Sequence, residues 1–315
     1  MQWLILKALI AFSLAGCGTL NRPTPHTIAE PSFAAPDKRP VRLAVVLSSG
    51  ALRGFAHVGV LRELRAQGIV PDLVVGTSVG AIVGAVFASG ATDSEMDAAA
   101  QALSSDLLMD LTMPRLGLLT GRAIHEFVDH HAKGHRIESF PIRFAAVAVE
   151  AERACLQIFN AGDVGKATQA SITVPVVLAP PEIAGRHYLD GALASPLPVR
   201  VARALGAERV IAVDVTFDPA QRGFASIVEA FWRTTLMMHW TLAVNERQDA
   251  DYVIVPMLPP ESRISLASRQ TLIEAGAEAV RKALPEIREA LLAPAHVPLG
   301  TVHPVLKTLL CPAPL

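Results

Sequence analysis

The sequence predicts an α/β protein in three layers (α/β/α), with a mainly parallel central sheet covered by helices on both faces. Three observations lead there. Short apolar runs near Val41, Asp72, Arg143, Ala154, Arg209 and Asp251 read as strands buried on both sides. Segments with apolar residues at helical spacing lie between most of them. Glycine-bearing turns join strand to helix twice, at Ser48 to Gly54 and at Gly76 to Gly80. Residues 41–292 suffice for one large domain with a sizeable core.

Taken in order, residues 1–16 form an apolar stretch broken only by Lys7 and ending in Leu14-Ala15-Gly16-Cys17. The stretch is short for a membrane span, and small residues before a cysteine suit a signal peptidase. It predicts a lipoprotein signal peptide with Cys17 as the lipidated residue, so that the protein is anchored to a membrane of the cell envelope, facing the periplasm, or an outer membrane where the host has one. Residues 17–40 continue as a proline-rich tether.

Val41 to Leu47 reads as the first strand and Phe55 to Gln67 as a helix with Phe55, Val58, Leu61 and Leu64 on one face. The intervening SSGALRG can present successive backbone N–H groups to one anion. Gly50 and Ala51 are the expected donors, and Arg53 is expected to steady the loop by pairing with a carboxylate, with a phosphate head group as the alternative partner. Neither GxGxxG nor GxxxxGK[ST] is present, which argues against a nucleotide site.

Asp72 to Val75 then reads as a strand, GTSVG as a sharp turn, and Ala81 to Ala88 as a helix. That order makes a nucleophile elbow with Ser78 at its apex, surrounded by small residues because the helix folds straight back on the strand. A serine attacking a carbonyl needs a group that takes its proton and returns one to the leaving alcohol. Asp190, in Tyr188-Leu189-Asp190-Gly191-Ala192 at the end of a short strand candidate, is the expected base. The alternative is a Ser-His-Asp triad in α/β-hydrolase order. Its histidines are poorly placed: His239 lies in an apolar helix, His296 and His303 lie in a proline-rich tail, and His57 and His125 precede the acid. His57 is expected to pack on the oxyanion loop.

The glycine-containing loop, GxSxG and the later Asp-Gly resemble the patatin-like phospholipases. So do GFAHVGVL, PDLVVGTSVGAIVGA, ATQASITVP, YLDGALASPLPV and LGAERVIAVDV, in family order from Val41 to roughly Leu292. The resemblance implies a patatin-like fold, a Ser78-Asp190 dyad without histidine, an oxyanion loop on Gly50, Ala51 and Arg53, and phospholipid or another acyl ester as substrate. The loop departs from the family pattern GGGxRG, since Ser49 and Ala51 stand at glycine positions. That departure supports the alternative of a non-catalytic, membrane-anchored binding or envelope-organising module.

The 315 residues carry Lys+Arg 28 against Asp+Glu 29, so no surplus positive charge attracts nucleic acid. With no cysteine-histidine cluster of zinc spacing, the chemistry calls for no metal or other cofactor. Oligomeric state is not legible. Ile227 to Val244, rich in Trp, Phe and Met, reads as a core helix, with a lid or acyl-chain groove as the alternative. Residues 293–315 read as a proline-rich tail without a period, and Cys155 and Cys311 as two separate thiols rather than a staple.

Overall fold

The computed structural model describes residues 31–34, 40–103, 117–134, 136–217, 227–259, 264–293 and 303–312. The expected leader, Cys17, most of the tether and His296 lie outside the described residues. The first half of the domain comprises β1 (Val41–Leu47), α1 (Phe55–Ala66), β2 (Leu73–Thr77), α2 (Val79–Ala88), α3 (Asp93–Ala102), β3 (Gly117–Leu119), α4 (Arg122–His131) and β4 (Arg143–Glu150). It continues through β5 (Cys155–Phe159), α5 (Val164–Ser171), β6 (Val176–Leu178), β7 (Glu182–Ile183), β8 (Arg186–Asp190), α6 (Val199–Ala204) and β9 (Ala207–Val213). The last elements are α7 (Ile227–Arg247), β10 (Tyr252–Ile254), α8 (Arg269–Leu292) and α9 (Pro304–Leu309).

The main sheet runs β10-β9-β1-β2-β4-β8-β7, and its first five strands are mutually parallel. Successive side chains of a strand point to opposite faces, and both faces here are apolar. Val45 and Leu47 of β1 join a core with Leu61, Phe87 and Leu272, whereas Ala44 and Val46 join another with Leu197, Val201 and Leu306. Two cores separated by one sheet make the three layers the sequence predicts. The alternation of strands and helices does not reveal the antiparallel edge formed by β5, β8 and β7.

That edge determines where the site falls. β4 pairs β2 in parallel through residues 143–147 and β5 in antiparallel through residues 146–150, so these two partners lie on opposite sides of it. β8 pairs β4 only at residues 148–150, where β5 already holds the other side, so β8 lies on the same side as β2. The two strands therefore approach head to head along β4. β2 ends with Thr77 opposite Val147, and β8 ends with Asp190 opposite Ala148.

Three expectations are corrected. α7 is not buried all round: Arg233 and Glu246 are buried, while Trp232, Met237 and Met238 are 42, 45 and 54% exposed. Composition signals apolarity but not orientation, and here Glu246 accepts from Ser195 Oγ and the Leu197 N–H in the chain after Asp190. The tail contains α9, whose Leu306 enters the second core. Cys155 and Cys311 are not separate thiols but a disulfide, with Cα atoms 4.9 Å apart. Tail residue Leu310 bridges Leu156 at the free edge of β5, and the Cys311 N–H donates to the Leu156 carbonyl over 3.0 Å. That pairing aligns the sulfurs, and no sequence pattern encodes it.

Candidate active site

Ser78 is the residue between β2 and α2, with φ 57° and ψ −126°. A side chain held there costs ~1–3 kcal/mol, which the surrounding packing must offset. The turn closes because Gly80 lies against β1: a Cβ on it would come within 2.3 Å of the Leu47 carbonyl oxygen. The Ser78 N–H donates to Ser171 Oγ (2.9 Å), and Ser171 Oγ donates to the Val147 carbonyl (2.6 Å). Thr77 Oγ1 donates to the Ser195 carbonyl (2.8 Å), tying the elbow to the chain after Asp190. Ser171 and Ser195 escaped sequence reasoning, since a serine in ATQAS or ALASP carries no signal of a partner so distant in the chain.

The head-to-head approach of β2 and β8 brings Ser78 and Asp190 together. Ser78 Oγ donates to Asp190 Oδ2 over 2.8 Å, across 112 residues of sequence. The other carboxylate oxygen accepts the Ala192 N–H, also at 2.8 Å. Asp190 is only 3% exposed. Burial pushes its pKa from 3.8 up to about 6, against the lowering effect of its hydrogen bonds from Ala192 and Ser78. The carboxylate is thus ionised at neutral pH but far more basic than one in water.

Among the described residues, no histidine hydrogen-bonds to either side chain. His57 is fully buried beneath the glycine loop, its Nε2 3.0 Å from the Ser48 carbonyl, and burial lowers its pKa to about 4. It is neutral, donates through Nε2, and supports the loop as expected. His125 Nε2 lies between Asp129 and Asp163 at 3.1 and 3.4 Å, and those two contacts raise its pKa to about 10. His239 on α7 is held neutral by burial, and His303 caps α9.

The Ser48 to Gly54 loop is tied at several points. Ser48 N–H donates to the Val213 carbonyl (3.1 Å), Ser49 N–H to the Pro196 carbonyl (2.8 Å), and Val215 N–H to Ser48 Oγ (2.8 Å). Arg53 Nε donates to the Val215 carbonyl (2.7 Å). Arg53 thereby braces the loop against the chain that follows β9. Among the described residues of the same stretch, the buried Asp214 pairs with Arg247 of α7 (2.7 Å) and accepts from Thr216. Gly54 seats the loop beside the elbow, since a Cβ on it would lie 2.3 Å from a methyl of Val79. The N–H groups of Gly50 and Ala51 have no acceptor among the described residues. Ala51 adopts φ 48°, so the alanine at a family glycine position does occupy left-handed backbone, at ~1 kcal/mol or more.

An apolar cleft of about 490 Å³, counting its open mouth, leads away from this point between α2, α3 and the loop. Ala51 and Val79 line its start, next in sequence to Gly50 and Ser78. The sequence profile of the patatin-like phospholipase family matches residues 45–203, half of the chain, and spans the loop, the elbow and Asp190. The chain belongs to the patatin-like phospholipase family.

Relatives within this family divide by length. An uncharacterized NTE family protein of Mycobacterium tuberculosis is 35% identical over 181 residues, 57% of this chain and 50% of that one. Human patatin-like phospholipase domain-containing protein 6 is 30% identical over 182 residues, 55% of this chain but 13% of its own. The chain thus matches half or less of the length of these curated relatives. Among solved structures, VipD from Legionella pneumophila aligns over 82% of this chain and 70% of its own, with 11% identity and a TM-score of 0.43.

Proposed function

We propose that the protein is a serine lipid acyl hydrolase that cleaves carboxylic esters of membrane lipids through a Ser78-Asp190 dyad. The observation that carries this reading is the 2.8 Å contact between Ser78 Oγ and a buried carboxylate. Ser78 Oγ attacks the acyl carbonyl while Asp190 Oδ2 takes its proton. The carbonyl oxygen becomes an oxyanion held by the N–H groups of Gly50 and Ala51, with the N-terminus of α2 adding favourable potential. Collapse of the tetrahedral intermediate breaks the bond to the leaving alcohol, which receives the proton from Asp190. Water, deprotonated by the same carboxylate, then releases the fatty acid and restores Ser78. Arg53 acts by holding the loop in place.

Phospholipid is the favoured substrate, supported by family membership. We place the protein on a membrane through lipidated Cys17, a reading supported by the apolar run that ends in Leu-Ala-Gly-Cys. Loss of palmitate incorporation in Cys17→Ser tests the anchor. For the chemistry, a fluorophosphonate probe should label the purified chain and fail to label Ser78→Ala. Absence of labelling in the wild type would instead favour the non-catalytic module.

A further inference from the structure

The apolar cleft has a direction and an end, and both bear on which acyl chains the site accepts. Val79, Ile82, Val83 and Val86 form one face of α2 and line the cleft in that order away from Ser78. Leu52, Ile82, Val83 and Leu103 along its course are partly exposed, so the cleft is open to solvent there. Its far end is closed: Val86, Met96 and Phe127 are 3, 2 and 8% exposed. Met96 comes from α3 and Phe127 from α4, so three helices meet at this wall.

We infer that this wall is an acyl-length ruler, with Met96 and Phe127 limiting the chain that lies fully within the cleft to roughly eight to ten carbons. The inference rests on the hydrolase reading and specifies its acyl subsite. The length follows from α2 itself. From Val79 to Val86 the helix rises about 10 Å. An extended alkyl chain advances roughly 1.3 Å per carbon, given C–C bonds of about 1.5 Å. The space from the elbow to the wall therefore holds about eight carbons beyond the carbonyl. Each methylene buried there contributes about fourfold to transition-state binding. Once the chain meets Met96 and Phe127, a further methylene must bend back toward the open side or displace packed side chains, and the gain stops.

The test is kcat/KM for a series of p-nitrophenyl esters from butyrate to palmitate, run beside ethoxy fluorophosphonate labelling of Ser78. The wild type should gain about fourfold per methylene up to eight to ten carbons, then level off or fall. Met96→Ala should move that break two to four carbons longer. Val83→Phe, which fills the passage, should raise the butyrate-to-decanoate ratio at least tenfold. Retained labelling with a break unmoved in both variants would refute the ruler while leaving the hydrolase reading intact. Failure of both labelling and turnover would refute the hydrolase reading, and the ruler with it.

Discussion

In the proposed dyad, Asp190 is the residue on which chemistry and stability pull in opposite directions. Its folded pKa is raised from 3.8 to about 6, so the protonated carboxyl is the form the fold prefers. The stability it contributes is full below pH ~3.8 and is lost as pH rises through about 6. Keeping it ionised above that costs on the order of 3 kcal/mol. Asp190→Asn should therefore melt several degrees higher than the wild type at pH 8 and at a similar temperature at pH 4, by calorimetry. In the proposed dyad turnover requires the ionised form, so kcat/KM should rise with one apparent pKa near 6 and stay level to pH 8. A second limb near 7, tracking a histidine, would count against the dyad. At this scale the sequence was informative: GTSVG and Asp-Gly pointed to two side chains that the fold brings to 2.8 Å of each other, because strained turns demand particular residue types. It was silent on Ser171, which holds the Ser78 N–H, since any serine could do so once placed there.

Among the elements, β4 does most to create the site, because two strands of opposite direction end against it one residue apart. The apolar run near Arg143 predicted a strand, but its pairing partners are a property of topology and were not legible. α7 shows the same limit. Its Trp and Met content suggested burial, yet its inward side carries Glu246, which accepts from Ser195 Oγ at 2.8 Å and braces the segment after Asp190. The tail belongs to this scale as well. The disulfide between Cys155 and Cys311 closes a separation of 156 residues, and such a link typically stabilises by about 2–5 kcal/mol. Reduction, or Cys311→Ser, should lower the melting temperature by several degrees and let a protease remove the tail before it cuts the domain. Simultaneous loss of tail and domain would mean that α9 is held by packing alone.

Across the whole molecule, the buried ionisable groups set a pH window. His57 and His239 are lowered to about 4 by burial, so their contribution is present above pH ~6.5 and is lost as pH falls through about 4. Glu246, raised to about 8 by burial, and His125, raised to about 10 by Asp129 and Asp163, contribute at low pH and cease to as pH rises through those values. Thermal melts from pH 4 to 10 should therefore peak near pH 6 to 7, and Glu246→Gln should flatten the decline toward pH 8. A maximum above pH 9 would contradict this assignment. The three-layer architecture was legible because parallel strands buried on both faces leave unmistakable apolar runs. The antiparallel edge was not, because strand candidates such as those near Ala154 and before Asp190 carry no mark of the direction in which they pair.

The most direct test of the account is kcat/KM for a medium-chain ester measured on Asp190→Asn against the wild type at pH 7.5, with folding verified on the same samples. Removal of the base from a two-residue machine should lower it about 10³-fold or more, as for other catalytic acids and bases. A folded Asp190→Asn protein within tenfold of the wild type would show that some other group takes the serine proton.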